Sequence, residues 1–204
     1  MDLLLIRHAE PVRIAPGEGG GGPVDPELTP RGRAQAQRLA DWLAAEQVDA
    51  VVTSPLRRSR ETAAPIAAAH GLKLEIGPEL VEYDAQVDHY LPAEELKATG
   101  DDRWHAMIEG RWEDFGGEPP DRFRARIVPC LDAIIERSPG RRVAVVCHGG
   151  VINVYLAALL GLDRTLWFEP GYTSVSRVAA ARSGPRSLVT LNETAHLIGA
   201  RDGT

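Results

Sequence analysis

Leu3-Leu4-Leu5-Ile6-Arg7-His8-Ala9-Glu10 sets four aliphatic residues directly before a cation, an imidazole and a carboxylate. An unbroken aliphatic run of this length suits a short strand buried on both faces, as at the centre of a parallel sheet. Such a strand delivers Arg7 and His8 at its carboxyl end, the edge where open α/β sheets bind ligands. Taken alone, the octapeptide fits equally well a solvated strand end with a satisfied histidine, so other parts of the chain decide between the two.

Two distant stretches repeat the arrangement. Residues 49–53 (Asp-Ala-Val-Val-Thr) run into Ser54-Pro55-Leu56-Arg57-Arg58, and residues 143–147 (Val-Ala-Val-Val-Cys) run into His148-Gly149-Gly150. Ser54-Pro55 predicts a helix cap, with residues 56–62 as the opening turns, and a further helix is expected over 151–160. Thr29-Pro30 is another cap, followed by Ala36, Leu39, Ala40 and Leu43 at helical spacing to about residue 45. Residues 73–76 read as a short edge strand. Phe123, Ile127, Leu131 and Ile134 mark a helix ending near Ser138-Pro139-Gly140, and residues 174–180 and 187–191 predict an antiparallel edge pair. There is no internal repeat. Alternation of strands and helices in this order predicts an α/β fold, a three-layer α/β/α sandwich whose central sheet is mainly parallel with an antiparallel edge.

The 204 residues, 44% hydrophobic and 25% charged, fit one soluble domain spanning 1–204. A formal charge of -6 without any Lys/Arg block argues against a nucleic-acid partner. No apolar run reaches membrane-spanning length, and the N-terminus lacks a basic region leading into a long apolar core, so no membrane partner is expected. Cys130 and Cys147 sit in apolar, periodic surroundings without ligand spacing, which predicts a reduced cytoplasmic protein with no metal site. Residues 11–26 are glycine-rich, but no Lys-Ser/Thr follows the glycines, so they read as a mobile surface loop and not a phosphate loop. Over 77–120 the alternation lapses while Tyr83, Tyr90, Trp104, Trp112 and Phe115 gather among charges, with a short helix expected near 101–109. An irregular segment of that length predicts a lid or insertion over the active site. Arg13, Tyr83 and His89 are candidate substrate contacts, though the ordinary reading of each, as of His196, is a surface or packing residue.

Parallel strands finish on one edge, so Arg7-His8, Ser54 to Arg58 and His148-Gly149 are expected to converge there. Two of the three strands lead into helix N-termini, whose free amides favour anions, and the expected ligand is a phosphate. Arg57 and Arg60 are assigned to a solvated helix face with Glu61 as partner. The constellation resembles the histidine phosphatase superfamily, also called phosphoglycerate mutase-like. The resemblance rests on Arg7-His8-Ala9-Glu10, Leu28-Thr29-Pro30-Arg31-Gly32 with Gln35-Ala36, and Ser54-Pro55-Leu56-Arg57-Arg58 with Thr62-Ala63. Gly116-Gly117-Glu118 and Cys147-His148-Gly149-Gly150-Val151 complete the order.

The resemblance implies that His8 is the nucleophile, that His148 is the second pocket histidine, cationic beside a phosphate, and that Arg7, Arg58 and Gly149 bind the phosphoryl group. Two departures stand out. Ala9 replaces the usual glycine after the nucleophile, and fits if its φ stays below zero. The family's proton donor falls on Glu82 of Leu80-Val81-Glu82, but Tyr83-Asp84-Ala85 replaces the glycine-tryptophan-glutamate-glycine that often follows, which leaves Asp84 in reserve. The implied activity is metal-independent hydrolysis of a small phosphorylated metabolite through a phosphohistidine, with no cofactor. A phosphoglycerate mutase-type transfer is the alternative, disfavoured by Pro11-Val12-Arg13 after the first motif. A non-catalytic phosphate-binding module is disfavoured by the intact Arg7, His8, Arg58 and His148. Relatives often self-associate as homo-oligomers, and no stretch here marks an interface.

Overall fold

A computed structural model describes residues 1–181 and 184–198; residues 199–204, counted within the single-domain expectation, lie outside the described residues. Six strands form one sheet: β1 (Asp2–Arg7), β2 (Ala50–Thr53), β3 (Leu74–Ile76), β4 (Arg142–Cys147), β5 (Val175–Ala180) and β6 (Arg186–Glu193). Their spatial order is β3-β2-β4-β1-β5-β6, with the first four parallel and β5 and β6 antiparallel. The helices are α1 (Pro30–Leu43), α2 (Arg57–Ala69), α3 (Ala93–Thr99), α4 (Asp102–Ile108), α5 (Pro120–Glu136) and α6 (Gly149–Leu160). The three-layer sandwich with its antiparallel edge is therefore present.

Side chains alternate across the sheet and explain the aliphatic runs. Leu4, Ile6, Val51, Ala144 and Val146 pack on Leu39 and Leu43 of α1 and Ala63 and Ile66 of α2. Leu3, Leu5, Val52, Val143 and Val145 pack on Phe123, Ile127 and Leu131 of α5 and Val151 and Ile152 of α6. With helices on both faces, no position of β1 between Leu3 and Ile6 meets water, so neither face calls for a polar residue. Ile6, Val146 and Thr53 lie in register, which brings the carboxyl ends of β1, β4 and β2 to one rim.

Thr29 caps α1, its Oγ1 accepting from Gly32 N at 2.9 Å. Gly32 is required by space: a Cβ there would stand 2.1 Å from Glu10 O, a backbone atom of the loop that follows His8 and Ala9. Gly32→Ala is expected to destabilise the fold by about 1–3 kcal/mol through overpacking. A lowered urea midpoint with unchanged slope checks this, and an unchanged midpoint contradicts it.

Three local expectations are corrected. Ser54 does not cap α2: the N-cap is Leu56, without a side-chain cap bond, and Asp25 Oδ1 accepts from Arg57 N at 2.7 Å. The glycine-rich loop does not run free, because Ile14 and Tyr90 exchange backbone bonds of 3.0 and 2.8 Å and Val24 N donates to Val87 O at 3.1 Å. Within 77–120 the structure has α3 as well as the expected helix α4, plus 3₁₀ turns at Pro78–Leu80 and Trp112–Phe115. Helix α3 buries only Leu96, too little to leave a periodic signature.

Candidate active site

The ends of β1, β2 and β4 bring Arg7, His8, Arg58, His148 and Gly149 together, and residues 77–120 supply Glu82 and Asp84 over them. All but His148 of this set line a cavity of about 350 Å³. The strand ladder continues past the strand ends, with His8 N donating to Cys147 O at 2.9 Å and Ser54 N to Val146 O at 3.0 Å, so the rim is rigidly held. Ala9 tolerates its place: the only non-glycine residues with positive φ among those described are Thr173 and Asn192. Its amide donates to Thr62 Oγ1 at 2.9 Å.

His8 is buried, and its Nδ1 lies 2.8 Å from Ala9 O. That carbonyl can only accept, so Nδ1 carries the proton and Nε2 is left bare. Burial, then Arg58 and Arg7, hold the imidazole well below its usual pKa, so it is neutral at physiological pH. The rings of His8 and His148 stand 5.2 Å apart.

Burial, Arg58, His8 and Arg7 push His148 well below its usual value, so the protein's own groups favour a neutral ring, whereas the expected cation belongs to the state with a phosphate dianion beside it. Its Nε2 lies 2.8 Å from Ser54 Oγ and 3.4 Å from Ser59 Oγ, while Nδ1 is buried without a partner. Ser54 is a residue that sequence reasoning misplaced as a helix cap.

Arg7 also differs. Its Nη1 donates to Glu94 Oε1 and, at 2.6 Å, to Pro170 O; Nη2 reaches Glu94 Oε2 at 3.3 Å. The guanidinium lies over the Tyr172 ring, 4.1 Å from its centroid. Of five N–H groups, only Nε–H and one Nη2–H remain, both on one edge of the fork. Glu94 and Tyr172 thus clamp Arg7 from behind, and neither carried a recognisable signal in the sequence. Burial would raise the Glu94 carboxyl, but Arg7 outweighs it and holds the net shift downward. Arg58 is freer: its Nε is buried without a partner, its Nη2 stands 3.9 Å from Asp84 Oδ1, and its guanidinium lies 4.8 Å from the Tyr90 ring centroid.

Glu82 Oε2 accepts from Gly150 N at 2.8 Å and Oε1 from Tyr83 N at 3.3 Å. The first-turn amides of α2 and α6 were expected to receive phosphate; at Arg57 and Gly150 they instead receive the carboxylates of Asp25 and Glu82. Gly149 N–H keeps no partner among the described residues. Burial first, and Asp84 second, push the Glu82 carboxyl up to about 7, against the pull of Gly150 N–H, Arg58 and Tyr83 N–H. Asp84 is also raised, by burial, against the pull of Arg58. The negative charge of half-buried Asp84 thus favours keeping a proton on buried Glu82. Gly150 has no room for a side chain, since a Cβ would meet Glu82 Oε1 at 2.4 Å.

Arg58 Nε, Asp84 Oδ1 and His148 Nδ1 are thus buried polar atoms without partners. Orphans also occur away from the rim, at His70 Nε2 and Thr190 Oγ1, so it is the gathering of three of them here that fits a place for a ligand. Arg57 and Arg13 lie outside the set, paired with Glu61 and Glu95 respectively. Tyr83 stacks on Trp112 at 4.1 Å, and His196 stacks on Trp42 at 5.3 Å.

The chain is 30% identical over 198 residues to phosphoserine phosphatase 1 of Hydrogenobacter thermophilus, covering 96% of this chain and 93% of that one. It is 30% identical over 175 residues to glucosyl-3-phosphoglycerate phosphatase of Mycolicibacterium vanbaalenii, covering 81% and 78%. A mycobacterial glucosyl-3-phosphoglycerate phosphatase complexed with VO3 superposes with a TM-score of 0.74 at 25% identity, over 95% of this chain and 99% of that one. Residues 3–194 match the family model of the histidine phosphatase superfamily (branch 1), and with the rim of Arg7, His8, Arg58 and His148 assembled as it is, the chain belongs to that family.

Proposed function

We propose that the protein is a phosphomonoesterase that passes the phosphoryl group of a small phosphorylated metabolite to His8 and then to water. One observation carries the reading: His8 is neutral, with Nδ1 committed to Ala9 O and Nε2 bare among two arginines. A bound anion explains cations gathered there, and a bare nitrogen beside them explains a nucleophile.

In the first step His8 Nε2 attacks phosphorus and the ester P–O bond breaks. The free edge of Arg7, Arg58 and Gly149 N–H hold the non-bridging oxygens, by charge-assisted bonds where arginine donates. If the Ser54 hydroxyl donates to Nε2 of His148, the neutral ring presents Nδ1–H as one further donor, so no imidazolium is needed. Glu82, protonated near neutral pH, gives its proton to the departing oxygen. In the second step its carboxylate takes a proton from water, which attacks phosphohistidine and restores neutral His8. The domain is read as 1–204, with 77–120 as its lid. Phosphatases among the relatives support hydrolysis, and a probable phosphoglycerate mutase of Yersinia enterocolitica, 30% identical over 167 residues, is why transfer is the reading tested against it. Two thiols without disulfide partners suit a reducing cytoplasm, and among the described residues no helix is long and apolar enough to cross a membrane.

Phosphate release from a panel of phosphorylated metabolites, compared with the same panel under mutase assay conditions, tests the reading. Hydrolysis without transfer to a second substrate molecule supports it; transfer alone contradicts it. Arginines supply the positive charge that a metal ion supplies elsewhere, so prolonged chelator treatment is expected to leave turnover unchanged. Activity lost to chelator and restored by a divalent ion would contradict the mechanism.

A further inference from the structure

Beyond the residues placed at the phosphate end, the same cavity is lined by aromatic and aliphatic side chains alongside charged ones. Trp104, Met107 and Phe115 line it from the segment over the sheet, and Leu166, Trp167 and Phe168 from the loop after α6. This second wall is built into the fold. Asn153, buried in α6 one turn beyond Gly149, accepts from Trp167 N at 2.9 Å and Phe168 N at 3.2 Å through its Oδ1. Its Nδ2 donates to Phe168 O and to Gly149 O, both at 3.0 Å. One side chain therefore ties the aromatic wall to the helix start at the phosphate end. Most charged groups around this part of the cavity are already engaged. Arg103 is held by Asp101 through Nε at 2.8 Å and Nη2 at 2.6 Å, and Glu169 by Lys97 at 2.5 Å. Glu94 is committed to Arg7, and Arg164 is solvent-exposed.

We propose that the alcohol released from the phosphate ester is uncharged and bulky, with an apolar or planar face that seats against Trp104 and Trp167. A small alcohol bearing a carboxylate, such as a hydroxy amino acid or a glycerate, leaves the aromatic wall uncovered, and beyond Arg7 and Arg58 at the phosphate end and the Asp101-paired Arg103 the arginine the cavity lining offers it is the exposed Arg164. This specificity rests on the phosphatase reading only for where the phosphate sits. Aromatic walls reward flat apolar surface through burial and stacking, and discrimination by an apolar pocket runs on the order of 10–200-fold.

The test has two arms. Calorimetry on the intact protein compares 3-phenylpropylphosphonate with 2-amino-4-phosphonobutyrate, which bind without reacting. Steady-state kinetics compares 2-phenylethyl phosphate with phosphoserine, both esters of primary alcohols. The expected result is a preference of at least about tenfold for the phenyl ligand in both arms. Trp104→Ala and Trp167→Ala, each checked for folding by circular dichroism, are expected to shrink that ratio toward one. Equal or weaker binding of the phenyl phosphonate, or a ratio unmoved by both substitutions, overturns the proposal. Failure to hydrolyse either ester would count against the phosphatase reading alone, because the binding arm still decides the wall.

Discussion

The His8→Ala variant is expected to fold as its parent does and to lose turnover of alkyl and nitrophenyl phosphates alike, by on the order of 10⁴-fold or more. The fold survives because the core on either side of β1 is made by Leu3 to Ile6, which His8 only follows. Turnover does not survive because nothing nearby replaces Nε2. His148, the neighbouring imidazole, has its Nε2 against Ser54 and its ring 5.2 Å away. Arg7, Arg58 and Gly149 remain, so phosphate should still bind. The variant is therefore a dead enzyme with a working anion site, separable from a misfolded protein by phosphate titration and circular dichroism. A folded variant that keeps most of its activity would remove His8 from the chemistry.

Glu82→Gln is expected to divide the substrates instead. An alkoxide leaves as a strong base and needs a proton, whereas nitrophenolate needs little help. Loss of the acid should slow alkyl phosphates by on the order of 10²–10⁴-fold and nitrophenyl phosphate far less. The pH dependence carries the same signature. Burial and then Asp84 hold the carboxyl up to about 7, and the donor must be protonated. The kcat/KM for an alkyl phosphate should accordingly fall as pH rises through about 7, and Glu82→Gln should abolish that limb. His8, which must be unprotonated to attack, can contribute only an ascending limb, and that lies well below 6.5. Stability follows the same sign. The contribution of protonated Glu82 is complete below the ordinary value of 4.5 and is lost as pH rises through about 7. Equal loss on both substrates would mean that Glu82 positions phosphate, and Asp84→Asn would then be expected to show the selective loss.

The parts legible in the sequence are those where local pattern and tertiary role coincide. Aliphatic runs at 3–6, 50–52 and 143–146 are strands because a sheet covered on both faces demands apolar residues at every position, so their polar termini stood out. The Thr29-Pro30 cap is legible for the same reason: its partner, Gly32 N, is three residues away. What was not legible depends on distant partners. Ser54-Pro55 has the local form of a cap, but its Oγ accepts only from Leu56 N, at 3.4 Å, before the helix begins, and lies 2.8 Å from Nε2 of His148, 94 residues on. The anion-favouring amides of Arg57 and Gly150 are real, yet Asp25 and Glu82 reach them from other loops. The clamp on Arg7 joins Glu94 from 87 residues away, on a helix too short to show a period, and Tyr172 from a loop.

The central claim, transfer through His8, is tested most directly by the stereochemical course of hydrolysis. A thiophosphate monoester made chiral at phosphorus with oxygen isotopes is hydrolysed in isotopically labelled water, and the configuration of the released thiophosphate is read by phosphorus NMR. Two in-line displacements, first by His8 Nε2 and then by water, give retention, which is the result expected here. Inversion would mean that water attacks the ester directly, and His8 would then be no more than a ligand for the phosphate.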